Sequence, residues 1–272
     1  MQYNTLKDTP LQQIIDCLLS AFEGYYVPMP TDLAYWQQRF EKAGVDQAHS
    51  WGVFDREKLV GFIINAIGEH DGQHTAFNTG TGVLKDYRGQ KIVDHLYQFG
   101  LPGLKAKGIE GCTLEVITKN LRAIRVYERI GFSISHRLKC YQGNLTLGKK
   151  AVLKERHLAE LEGQFADHHY SWDYKKRPIQ KAEVAYKVFE VFDAPTSSPA
   201  GYFIINPSNG TIAQLETKTK NWPLLFDGIS QVCSEIRIIN IHENRIGLLN
   251  YLQASPLQNH LDQFAMEMSL SN

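Results

Sequence analysis

The densest chemistry in the chain lies in residues 81–92, Thr81-Gly82-Val83-Leu84-Lys85-Asp86-Tyr87-Arg88-Gly89-Gln90-Lys91-Ile92. The segment reads as a strand, a tight turn and a helix start. The first backbone N–H groups of a helix have no intrahelical partner, and the helix dipole adds partial positive charge there. Such a turn suits a phosphate or a diphosphate. Arg88 supplies a permanent cation, and Gly89 lets the backbone approach an anion closely. No Gly-Lys-Ser/Thr follows, which excludes a nucleotide-triphosphatase loop, and without GxGxxG a dinucleotide fold is disfavoured.

Other reactive residue types do not assemble into sites. The four cysteines, Cys17, Cys112, Cys140 and Cys233, form no CxxC pair, so they read as reduced thiols, mostly in core positions. Asp167-His168-His169 places histidines side by side rather than on one helix face, and there is no HExxH, so no metal is expected. Lys plus Arg equals Asp plus Glu at 29 each, which leaves no global field to draw in nucleic acid or an acidic membrane. The longest strongly apolar stretch, 59–67, is far short of the roughly 20 residues a membrane span needs. The N-terminus lacks the blocks of a signal peptide, and a cytoplasmic protein is expected.

The elements that position the turn can be read from periodicity. A strand over 3–6 precedes a helix opened by Asp8-Thr9-Pro10, with Thr9 as candidate cap and a stripe of Leu11, Ile14, Ile15, Leu18 and Leu19. A second helix covers about 31–43. Residues 50–54 and 59–67 read as a hairpin and 75–84 as a further strand. A helix over 89–107, a strand over 111–118, a helix over 121–130 capped by Gly131, and a strand over 132–140 complete the half. The order β-α-α-β-β-β-α-β-α-β is a mixed α/β layer fold. The second half repeats parts of it. Gly61-Phe62-Ile63-Ile64-Asn65 is echoed from Gly201 to Asn206, and Asn120 and Tyr127 fall 124 residues before Asn244 and Tyr251. Internal duplication is the better reading, with domains at 1–147 and 148–272 and the boundary in the polar stretch 142–150.

Together, the turn Tyr87-Arg88-Gly89-Gln90 and the segment Asn120-Leu121-Arg122-Ala123-Ile124-Arg125-Val126-Tyr127-Glu128-Arg129-Ile130-Gly131-Phe132 resemble the GNAT superfamily of N-acetyltransferases over residues 1 to about 145. The resemblance implies acetyl-CoA as co-substrate. It places Val83, Leu84 and Lys85 against the pantetheine arm through their backbones, and Arg88, Gly89, Gln90, Lys91, Ile92 and Val93 around the diphosphate. Lys91 and Val93 stand where the family's turn carries small residues. Asn120 is expected to hydrogen-bond the arm. Tyr127 is expected to protonate the departing thiolate, since a phenol with an ordinary pKa near ~10 keeps its proton at neutral pH. The general base stays open among Glu115, His70, Asp71, His74 and a water relay. Phe22, Tyr25 and Tyr26 fall where the family roofs its acceptor, a small-molecule or peptide amine.

In the second half Asn221-Trp222 stands where Arg88-Gly89 stands in the first. An indole and a proline without N–H defeat an anion nest. This copy is expected to bind no coenzyme A and to support the first domain, cover its acceptor or make a subunit contact, possible homodimerisation included. The rival reading for the whole is a module that binds coenzyme A or a partner without turnover.

Overall fold

A computed structural model of the chain describes residues 1–148, 150–161, 164–193 and 198–270. It divides into two compact units, one of Met1–Ser135 with Ala265–Asn272 and one of His136–Phe264. The division falls at Ser135 rather than between 147 and 148, and the chain returns to its first unit at the end. The final strand, Gln263–Ser269, lies beside the strand Gly111–Ile117, and Leu270 N–H donates to Glu110 O at 2.7 Å. Such pairing across some 150 residues leaves no local sequence signal. Lys149, in the stretch expected to hold the boundary, lies outside the described residues.

The first unit runs β1 (Gln2–Thr5), α1 (Leu11–Ala21), α2 (Leu33–Ala43), β2 (Trp51–Asp55), β3 (Lys58–His70), β4 (Gln73–Val83), α3 (Ile92–Ala106), β5 (Gly111–Ile117) and α4 (Leu121–Ile130). Up to α4 this is the order read from periodicity; the strand expected to complete the half, 132–140, lies mostly in the second unit. The apolar stripe of α1 buries Ile14, Ile15 and Leu18 against Leu59, Phe62 and Ile64 of β3. Pro10 itself stands at the start of α1, with no side-chain cap, so Thr9 does not close that end. Asp32 caps α2 by accepting from Ala34 N–H at 3.1 Å. Gly131 closes α4, donating to Tyr127 O and Glu128 O. On the other face α3 lies close to β2: a Cβ added at Gly100 would sit 1.8 Å from the Trp51 indole, so only glycine fits.

Strands β1 to β4 are antiparallel neighbours, and β5 runs parallel to β4 from Thr75↔Gly111 to Asn78↔Leu114. Past Asn78 the two strands no longer pair. One extra residue in β4, at the register shift opposite Ile64 and Asn65, lies where the fork opens.

The second unit contains β6 (Ser133–Asn144) from His136 onward, β7 (Ala151–Arg156), α5 (Lys176–Lys181), β8 (Lys187–Asp193), β9 (Gly201–Asn206), β10 (Thr211–Thr217), α6 (Trp222–Val232), β11 (Glu235–His242) and α7 (Ile246–Ala254). Its strands follow the order β7-β8-β9-β10-β11-β6, with only β10 and β11 parallel. The geometry repeats: Ile64 pairs Gly80 as Ile204 pairs Gln214, each beside a register shift. The repeat is not uniform. β11 slips register around Asn240, whose φ is 61°, and this extra residue moves the next helix cap. Asn120 caps α4 but Arg245 precedes α7, so a cap-to-cap count sets Tyr127 against buried Leu252, not Tyr251.

Candidate active site

After β4 the backbone turns sharply. Leu84 N–H donates to Val60 O at 2.9 Å, and a short 3-10 turn at Lys85–Tyr87 leads to Arg88. Gly89 (φ 84°) and Lys91 (φ 54°) are both left-handed, and α3 starts at Ile92 with no side chain capping it. Backbone that alternates hand in this way turns successive N–H groups into one concavity, a nest for an anion. A Cβ added at Gly89 would meet nothing within 4 Å, so the space over the turn is open. Lys91 holds a conformation that costs a non-glycine residue about 1–2 kcal/mol, at the position where the family's turn has a small residue. An uncapped helix start, an open cradle and a strained backbone together fit a diphosphate.

Arg88 borders this turn but is partly engaged. Its Nε donates to Val83 O at 3.0 Å and its terminal nitrogen to Ala21 O at 2.8 Å, tying the end of α1 to the turn. The guanidinium keeps further N–H groups for a ligand.

The fork between β4 and β5 supplies the second feature. Because Leu84 N–H is directed at β3, strand alternation turns the backbone groups of Thr81 and Val83 away from β3, towards the side β5 has left. Of the three residues expected to offer backbone contacts, Val83 fits. Leu84 does not, since its N–H is taken, and Lys85 already belongs to the 3-10 turn.

Tyr127 reaches this fork from α4. It is 9% exposed, and burial pushes its hydroxyl up to about 12, while hydrogen bonds with Thr81 and Asn78 pull the other way. Asn78 donates to Thr81 Oγ1 at 2.7 Å and to the fully buried Tyr97 hydroxyl at 2.9 Å. Ring contacts from Phe132 to Tyr127 (5.8 Å) and to Tyr97 (5.5 Å) hold the phenols in place. A hydroxyl so held is protonated throughout the neutral range and can donate to a developing anion.

Asn120 is used structurally. Its side-chain oxygen accepts from Ala123 N–H at 3.2 Å, capping α4, and it hydrogen-bonds Tyr25. Burial raises the Tyr25 hydroxyl above its ordinary value. Phe22, Tyr25 and Tyr26 stack edge to face at 4.8 and 5.1 Å, and the Tyr26 hydroxyl donates to Lys119 O at 3.1 Å.

These parts border one cavity of about 670 Å³. Its wall includes Phe22, Tyr25, Tyr26, Val83, Arg88, Gly89, Lys91, Ile92, Val93, Asn120 and Tyr127 from the residues singled out by sequence. Leu84, Lys85, Gln90 and Glu115 are not on it, and Glu115 is half-buried on β5. The sequence reading missed Thr81, Arg122, Arg125, Arg129 and Asp94 on the wall, and Asn78 and Tyr97 behind it. The spacing of Arg122, Arg125 and Arg129 does put three cations on one helix face, a signal open to sequence. Nothing local marks Asn78 as a buried hinge of a polar network. Among the described residues no group of three or more His, Cys, Asp or Glu is placed to hold a metal, and no helix is long and apolar enough to cross a membrane. Cys17, Cys112 and Cys140 are buried and Cys233 is half-buried, and none of the four is joined in a disulfide among the described residues.

The second unit fills the equivalent positions with its own groups. Asn221 caps α6 by accepting from Leu224 N–H at 3.2 Å. Leu215 is the register counterpart of Thr81, being paired with Phe203 as Thr81 is with Ile63. Leu215 N–H donates to the Tyr170 hydroxyl at 2.9 Å, and Leu215 O accepts from Tyr170 (2.8 Å) and Arg245 (2.9 Å). Arg245 also pairs with Glu216 at 3.0 Å.

The forked mixed sheet, with an uncapped helix start after the fork, is a scaffold that the comparisons identify. Residues 11–132 match the model of the Acetyltransferase (GNAT) family. The chain belongs to this family and is an acetyltransferase by class. It is 32% identical over 91 residues to the N-alpha-acetyltransferase MAK3 of Arabidopsis thaliana, a match covering 34% of this chain and 48% of that protein. It is 32% identical over 111 residues to N-alpha-acetyltransferase 30 of Schizosaccharomyces pombe, covering 39% and 74%. The chain therefore spans about half of one curated relative and about three quarters of the other. A tandem GNAT protein from the clavulanic acid biosynthesis pathway shares the fold with a TM-score of 0.69, at 12% identity, over 100% of this chain and 99% of that one.

Proposed function

We propose that the first unit transfers the acetyl group of acetyl-CoA to a primary amine by direct attack in a ternary complex. The observation that carries this reading is that the uncapped start of α3 and the Tyr127 hydroxyl border the same cavity. The diphosphate lies against the N–H groups that follow Gly89, and the pantetheine arm follows the free edge at Thr81 and Val83. The amine nitrogen bonds to the thioester carbon and the C–S bond breaks. The coenzyme A thiolate takes its proton from Tyr127, and the amine's proton leaves through water, which returns a proton to the Tyr127 phenolate. Backbone N–H at the free edge stabilises the oxyanion between these steps.

That the two relatives are N-alpha-acetyltransferases supports a peptide α-amine as acceptor, with Phe22, Tyr25 and Tyr26 as its wall. Four cysteines with no disulfide among the described residues support a reducing, cytoplasmic setting. The second unit is read as a GNAT-like copy without a cofactor turn, because Asn221, Tyr170 and Arg245 use the groups a cofactor would need.

A melting scan with acetyl-CoA, followed by thiol release with a panel of peptides and small amines, tests this. A native-state ligand at 100 times its dissociation constant adds roughly 2.7 kcal/mol, so the melting temperature rises. Absence of any rise with saturating acetyl-CoA overturns the reading. A rise without thiol release from any amine favours a coenzyme A-binding module without turnover.

A further inference from the structure

We infer that Arg122 and Arg125 hold the 3′-phosphate of coenzyme A, so that this chain distinguishes coenzyme A from its 3′-dephospho form. The inference rests on the acetyl-CoA reading and assigns a task to residues that it leaves unused.

The cavity wall carries five cations, Arg88, Lys91, Arg122, Arg125 and Arg129, against one carboxylate, Asp94. That carboxylate is taken by Arg129, whose two nitrogens donate to it at 2.6 and 2.7 Å, and Lys91 shares its field. Arg88 is tied to Val83 O and Ala21 O. The remaining donors of Arg88, and Lys91, stand at the turn before α3, so Arg122 and Arg125 are the cations of the wall left for another group: exposed, three residues apart on α4, and with no acidic partner among the described residues. Side chains at this spacing share a helix face. Two uncompensated guanidinium groups on the wall of a ligand cavity raise its positive potential and destabilise the empty chain slightly, unless an anion offsets them.

The ligand's phosphate chemistry matches this division. Its diphosphate is satisfied by backbone N–H groups at the start of α3, which leaves a separate phosphomonoester on the ribose. A phosphomonoester carries close to two charges and three strong acceptor oxygens at neutral pH. The planar guanidinium fork binds such a group in two-point fashion, and a pair of them gives orientation as well as charge. The α4 wall therefore recognises the 3′-phosphate while the α3 turn recognises the diphosphate.

Titration calorimetry of the full chain with coenzyme A and with 3′-dephospho-coenzyme A decides the matter, using the wild type and Arg122→Ala/Arg125→Ala. The wild type is expected to bind coenzyme A at least about tenfold more tightly than the dephospho form, the worth of one charge-assisted contact. In the double variant that difference disappears while affinity for the dephospho form is unchanged. An unchanged melting temperature of the ligand-free variant checks its folding. Equal affinities in the wild type, or a difference that survives in the variant, overturn the inference. So does a variant that weakens both ligands equally. If the wild type binds neither ligand, the acetyl-CoA reading falls as well, which separates the two failures.

Discussion

Asp94 in the first turn of α3 and Arg129 in the last turn of α4 form a two-point ion pair, at 2.6 and 2.7 Å, that joins the two helices walling the cavity. The pair lines the cavity with side-chain exposures of 23% and 47%, so solvent screens it. Its energetic worth is at most ~1 kcal/mol. Its geometric worth is larger, because it ties the uncapped start of α3 to the arginines of α4.

Replacement Asp94→Asn is expected to lower stability by less than about 1 kcal/mol and to weaken coenzyme A binding by misplacing the walls. The Arg129 hydrogen bonds hold the Asp94 carboxyl below its ordinary range. A depressed carboxyl contributes stability that is present above its unfolded pKa of ~3.9 and is lost as pH falls through the folded value. Denaturant midpoints measured at pH 7 and pH 3 should therefore differ less in Asp94→Asn than in the wild type. An equal pH dependence contradicts this role.

Tyr127→Phe removes the proposed acid without changing the turn. Turnover is expected to fall about 10²-fold or more, with acetyl-CoA affinity within about twofold. Burial lifts this hydroxyl to about 12, so its neutral form is favoured in the fold and that contribution is lost only as pH rises through the raised value. The pH–rate profile of the wild type should carry no falling limb from Tyr127 across the neutral range. A wild-type rate in Tyr127→Phe returns the residue to a packing role.

Much of this site was legible from residue types. The turn at Arg88-Gly89 and the segment from Asn120 to Tyr127 announced themselves, because a helix start after a strand and a capped helix ending in glycine are local patterns. Leu84 and Asn120 read less well. Each carries a polar group whose partner, Val60 O or Ala123 N–H, is decided by register and cap geometry that composition does not reveal. The network of Asn78, Thr81 and Tyr97 was invisible for the same reason. So was the strand Gln263–Ser269, which closes the first unit from the far end of the chain. The repeat at Asn244 and Tyr251 misled by one residue, since the slip at Asn240 cannot be counted from sequence.

Lys91 offers a test of stored backbone strain. Lys91→Gly frees a left-handed position and is expected to stabilise the chain by up to ~1 kcal/mol, after the entropy of glycine in the unfolded state is deducted. Lys91→Val puts a branched Cβ in the same conformation and should destabilise by about 1–2 kcal/mol. Urea midpoints of the two variants should move in opposite directions; a shared direction argues against strain.

Tyr170→Phe probes the filled fork of the second unit. It strips Leu215 N–H of its acceptor and Arg245 of one partner, in a buried setting. A loss of about 1–3 kcal/mol is expected from the unsatisfied groups, read as a lower denaturant midpoint. Acetyl-CoA binding should be unaffected below the unfolding transition. Loss of ligand binding in the folded variant would show that the second unit takes part in the site.

The most direct measurement follows the backbone amide resonances of residues 89–93 while acetyl-CoA is added. Grip on the diphosphate by that turn predicts large shifts at those amides, saturating at one equivalent of ligand, with resonances of the α6 start unmoved. Amides 89–93 that stay fixed under saturating acetyl-CoA, or that shift no more than those of α6, would contradict it.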